Sequence, residues 1–68
     1  MELQSMQEEP VFLTPMQCAT RLHLSRWTIY HWISDGKLDS AQGLRRVGGR
    51  RLIEWTALKA AIERGDFA

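Results

Sequence analysis

Apolar positions recur at helical spacing in three stretches of the chain and alternate with charged ones in a fourth. The first stretch follows Thr14-Pro15-Met16-Gln17. Thr14 fits an N-cap, Pro15 the first helical position, and Gln17 completes a capping box. Leu13 and Cys18 stand where a hydrophobic staple would close over that box. A helix is predicted from Pro15 to about Leu22, with Cys18, Ala19 and Leu22 turned inward. The second stretch, Ser25 to Gly36, is marked at both ends. The Ser25 hydroxyl can accept a first-turn N–H, and Gly36 is a natural stop. Ile29 and Ile33 lie four apart with Trp32 beside them, which makes one apolar face. Arg26, Trp27, Tyr30 and His31 are left for the other face.

Only His23 and Leu24 separate the first helix from the cap of the second, so the pair reads as a helix-turn-helix. Ala19 is small enough to let the second helix pack close, and Leu24 is expected to plug the turn. After Gly36 the period changes. Asp39 to Gly43 is rich in loop formers. L-R-R-V and R-R-L-I-E then flank Gly48-Gly49, a pair that can supply the positive φ of a tight hairpin turn. Leu44, Val47, Leu52 and Ile53 are expected to supply its apolar contacts. The third helical stretch runs from Trp55 to about Arg64 and ends at Gly65. Leu58, Ala61 and Ile62 are expected to face the core, with Trp55 in line. The predicted fold class is mainly α with a small β-hairpin: a helix-turn-helix, a two-stranded wing and a C-terminal helix. The predicted division is a flexible acidic tail at 1–10, one domain at 11–65 and a C-terminal end at 66–68.

A chain of 68 residues buries only roughly 60% of its unfolded surface, leaving little room for a deep catalytic cleft. One cysteine excludes an internal disulfide and suits a reducing cytoplasm. No apolar run is long enough to span a membrane. The acidic start does not resemble a secretion signal. A beginning at Met and an end just past a capped helix point to a complete small protein.

The net charge of +1 conceals an uneven distribution. Glu2, Glu8 and Glu9 fall in the tail, which has no Lys or Arg. Between Phe12 and Glu54 there are seven Lys or Arg against three acids, an excess of four. That distribution points to a polyanionic partner. The tail is expected to be an untethered terminus; the sharper alternative has its glutamates covering the basic face in place of phosphate. Arg45, Arg46, Arg50 and Arg51 surround the Gly-Gly turn with no acid among them. Such charges can simply keep a hairpin soluble. Four in seven positions exceed that need, and a guanidinium fork can hold two phosphate oxygens or a guanine edge.

The ordered set Leu13-Thr14, Ala19, Leu24-Ser25-Arg26, Thr28-Ile29-Tyr30, Trp32-Ile33, Gly36-Lys37-Leu38 and V-G-G-R-R at 47–51, followed by Ile53 and Leu58, resembles the winged-helix proteins of the excisionase family, which are related to the N-terminal domain of MerR-type regulators. The resemblance covers residues 12 to about 63. It implies double-stranded DNA as partner, with the second helix in the major groove. Arg26, Trp27, Thr28 and His31 would then lie nearest the bases, and Ser25 and Tyr30 nearer phosphate. It places the wing residues Arg46, Gly48, Gly49, Arg50 and Arg51 in or along the minor groove. It further implies cooperative binding at repeated sites, in some members DNA bending, and a site-specific recombinase (integrase) directed toward excision by this factor. Two features depart from the family: the loop between Leu38 and Val47 is longer, and Arg is more usual than His at position 31. Histidine there implies a weaker cation at neutral pH and binding that strengthens on acidification.

Two other functions share these residues. One is a small transcriptional regulator or repressor on the same fold; the other is an adaptor whose Trp27, Tyr30 and Trp32 bind a protein. Catalysis finds no support. His23 and His31 are eight apart, Cys18 stands alone and Asp35 and Asp39 flank a turn, so neither metal-ligand spacing nor an acid/base pair is evident. No cofactor is expected.

Overall fold

The structure is a computed structural model that describes residues 11–68. The tail at 1–10 and its phosphate-mimic alternative lie outside the described residues. The first helix, α1 (Pro15–Leu22), starts with the capping box complete. Thr14 Oγ1 accepts from the Gln17 N–H at 3.2 Å, and Gln17 Oε1 accepts from the Thr14 N–H at 2.9 Å. It ends at His23, whose φ of 58° is left-handed. The Leu24 N–H then bonds back to the Ala19 carbonyl at 2.9 Å, and His23 to Thr20 at 3.2 Å. The turn is thus closed by main-chain bonds. The sequence assigns Leu24 to plug this turn; instead Leu24 is 40% exposed, just past the left-handed His23.

Helix α2 (Arg26–Ser34) is capped by Ser25, whose Oγ accepts from the Trp27 N–H at 3.0 Å. It buries Ile29 completely, while Trp32 and Ile33 pack on the core rim. Beyond it, Leu38, at the entry to the loop-forming stretch, is fully buried. Its N–H bonds to the Trp32 carbonyl at 3.0 Å, folding the segment back onto α2. The long loop then forms a short 3-10 turn, Ser40–Gln42. Gln42 Oε1 accepts from the Asp39 N–H at 2.9 Å and Gln42 Nε2 donates to Asp66 at 3.1 Å.

The hairpin consists of β2 (Leu44–Val47) and β3 (Arg50–Glu54), and both turn glycines have positive φ, 59° and 80°. It is not confined to two strands. Phe12–Leu13 forms β1, which pairs antiparallel with β3, so the sheet order is β1-β3-β2. Only two residues pair, Phe12 with Glu54 and Leu13 with Ile53, which is too short a run for an alternating pattern to announce. Val47 departs from expectation as well. It sits at the wing tip opposite Arg50, past the core, and is 50% exposed.

Helix α3 (Trp55–Arg64) follows β3 without a linker. The Glu54 carboxylate caps it, accepting from Thr56 and Ala57 N–H groups, both at 3.1 Å. Leu58 and Ala61 are buried; Ile62 falls one position past that stripe and is exposed. The core is Leu13, Cys18, Ala19, Ile29, Leu38, Ile53 and Leu58. Burial pushes the Cys18 thiol up to about 11, against which Arg21 acts only weakly. Past Gly65 the chain continues to pack: the Phe67 ring stacks on Trp32 with centroids 4.1 Å apart. Asp66 beside it accepts from Arg64 at 2.7 Å and from Gln42, and these bonds hold its carboxyl below the usual range.

Candidate nucleic-acid interface

Helical geometry separates α2 into two faces. With Ile29 against the core, Trp27 and His31 project from the opposite side, two positions before and after it. Both are exposed, as are Ser25 and Arg26; Thr28 and Tyr30 flank them half-buried. Trp27 is the most exposed of the large apolar side chains among the described residues, at 60%.

The hairpin is organised by strand alternation. Leu44 pairs with Ile53 at its base, and the next pair on that same face is Arg46 with Arg51. The inward face of the wing is therefore apolar where it meets the core and doubly cationic where it extends past it. The opposite face carries Arg45 across from Leu52 and Val47 across from Arg50. Arg45 turns back to the long loop, its Nη1 donating to the Ser40 carbonyl at 2.7 Å and to its neighbour Leu44 at 3.1 Å. Among the described residues no acid forms an ion pair with any of the four wing arginines.

The two parts meet through a row of side chains. The Arg26 guanidinium lies over the Trp27 ring at 5.1 Å. Trp27 and Tyr30 are tilted neighbours at 6.1 Å, and Arg51 lies over the Tyr30 ring at 6.0 Å. The row Arg26–Trp27–Tyr30–Arg51 thus runs from the first turn of α2 to the wing without a break. Such cation–ring contacts hold guanidiniums in place with their N–H edges still available. Beside the row, Tyr30, Arg50 and Arg51 face Thr14 and Pro15 across an open cleft of about 300 Å³. Local sequence marks Thr14 and Pro15 only as a helix start. Their approach to the wing comes from β1 pairing with β3, which no local pattern announces.

Among the described residues no three His, Cys, Asp or Glu side chains gather as a metal-binding group, and no helix is long and apolar enough to cross a membrane. Trp55 is half-buried at the core, flanked by Arg21 at 5.2 Å and Lys59 at 5.8 Å.

Two helices at a tight turn, a glycine-tipped hairpin and a closing helix define a winged helix-turn-helix domain. Its basic wing and the exposed face of its second helix lie side by side. The chain belongs to the helix-turn-helix domain family, whose model matches residues 12–66, and this is a DNA-binding family. No curated protein and no solved structure matches the chain.

Proposed function

We propose that the protein binds specific sites in double-stranded DNA and acts as an excisionase-type directionality factor for a site-specific recombinase. Helix α2 enters the major groove, with Arg26, Trp27, Thr28 and His31 toward the bases and Ser25 and Tyr30 toward phosphate. The wing follows the adjacent minor groove. There Gly48 and Gly49 let the backbone approach, and Arg46, Arg50 and Arg51 meet the negative potential of the groove. Arg45, tied to the loop by its bonds to Ser40 and Leu44, serves as an outer phosphate contact.

The observation that carries this reading is the row Arg26–Trp27–Tyr30–Arg51, which joins helix and wing into one cationic and aromatic surface. The excision role rests on S-R-x-T-I-Y, G-K-L and V-G-G-R-R in that order and on a family that includes excisionase-like proteins. One domain of this size offers limited contact area, so selectivity comes from several copies bound cooperatively at repeated sites.

The test is a mobility-shift titration on the DNA upstream of the gene and on attachment sites of a neighbouring integrase. Wild type is compared with Arg50→Ala/Arg51→Ala and Arg26→Ala at two salt concentrations. Stepwise shifted bands at the attachment site, weakened by salt and by both variants, are expected. With five or six phosphates neutralised, log K falls against log salt with a slope of about −5. Binding confined to a promoter would replace the excision role with transcriptional regulation. Absence of any shift at low salt would refute DNA binding itself.

A further inference from the structure

Trp27 has no structural task that accounts for its size. It projects from the face of α2 opposite the buried Ile29, and 60% of it is open to water. Yet the side chain is held. The Arg26 guanidinium covers one part of the ring at 5.1 Å, and Tyr30 leans on it at 6.1 Å with 54° between the planes. The Trp27 main-chain N–H donates to the Ser25 hydroxyl at 3.0 Å, which fixes the main chain beneath the ring. A rigid, exposed indole with few torsions to freeze is suited to contact at low entropic cost. It belongs to the same row that reaches Arg51, so it faces the side on which the wing lies.

The first turn of a recognition helix is where base edges are met. In the major groove the base edges offer hydrogen-bonding groups and one apolar group, the C5-methyl of thymine. The indole has a single N–H donor and no acceptor, so most of its exposed surface has no polar match there. We infer that Trp27 is a specificity-determining residue that selects thymine by packing against its C5-methyl. This rests on the DNA-binding reading above.

A binding site is first selected from a randomised duplex library with the full chain. Each thymine is then replaced singly by deoxyuridine, which removes only the methyl. At one or two thymines the replacement weakens wild-type binding by about fourfold, the factor for one buried methyl-sized group. Trp27→Ala binds both duplexes alike, while Arg50→Ala/Arg51→Ala, although weaker overall, keeps the penalty. Circular dichroism confirms that each variant is folded. The inference is overturned if no thymine responds in the wild type, the outcome for a Trp that wedges between bases or docks a protein, or if Trp27→Ala retains the penalty. Failure to select or shift any duplex at low salt overturns it together with the DNA-binding reading, and so separates the two failures.

Discussion

Gly43 allows a direct test of how the long loop is seated on the root of the wing. Its φ is +107°, outside the range L-residues adopt comfortably, and a Cβ added there would lie 2.7 Å from the Glu54 carbonyl oxygen and 3.2 Å from the Ala57 Cβ. The contacted oxygen belongs to a backbone that cannot easily move aside. Glu54 pairs with Phe12 in the sheet, and its N–H bonds to the Gly43 carbonyl at 2.8 Å. Gly43→Ala therefore combines backbone strain of about 1–2 kcal/mol with an overpacking cost of about 1–3 kcal/mol. A total near 3 kcal/mol lowers the melting temperature of a domain this small by roughly 12–24 °C. Gly48→Ala is the matched control. Its φ is also positive, but nothing lies within 4 Å of an added Cβ, so only about 1 kcal/mol of strain is expected. Urea unfolding followed by tryptophan fluorescence measures both. Equal losses in the two variants would refute the contact of the loop with the β3–α3 junction.

Four further outcomes follow from particular contacts. Glu54→Ala removes the cap of α3 and costs about 1 kcal/mol in urea unfolding, whereas Glu54→Gln, which keeps an acceptor, costs less. Arg46→Ala relieves a like-charge pair facing Arg51 across the hairpin; it leaves the fold unchanged or more stable by a few tenths of a kcal/mol while weakening DNA binding and reducing its salt slope by about 1. His23→Gly removes the left-handed penalty at the turn and, after the added freedom of the unfolded chain, raises stability by about 0.5 kcal/mol, read as a higher urea midpoint. The Cys18 thiol, pushed up to about 11, resists alkylation in the folded protein at pH 8. Because the folded state holds that proton more tightly, the stability it contributes is fully present below the unfolded value near 9 and declines as pH rises toward 11, a decline that Cys18→Ala abolishes in pH-dependent unfolding.

Much of the fold is written locally. The capping box of Thr14 and Gln17, the Ser25 cap and the Gly48-Gly49 turn each depend on neighbours within a few positions, so spacing alone identifies them. The same holds for the inward faces of α1 and α2, which repeat at the helical period. Family membership over residues 12–66 agrees with that order of elements. The exceptions are residues whose exposure is not set by residue type and spacing. Leu24 and Val47 are apolar by type but exposed, one beyond a left-handed turn and the other past the end of the core. Leu38, just ahead of a stretch of loop formers, is buried where its N–H returns to the Trp32 carbonyl. Phe67 finds Trp32 from the far end of the chain.

The candidate interface divides in the same way. Its composition, the arginines around a Gly-Gly turn and the long side chains on one face of α2, is a property of the sequence, because charge and helical period are local. Its assembly is tertiary. The pairing of β1 with β3 brings Thr14 and Pro15 to the wing, and register places Arg46 beside Arg51. Only the shared core, which buries Ile29 of α2 together with Ile53 of β3, lays Arg51 over Tyr30, and so joins the second helix and the wing into one surface. Local rules choose which groups the protein presents; strand register and core burial decide which of them act together.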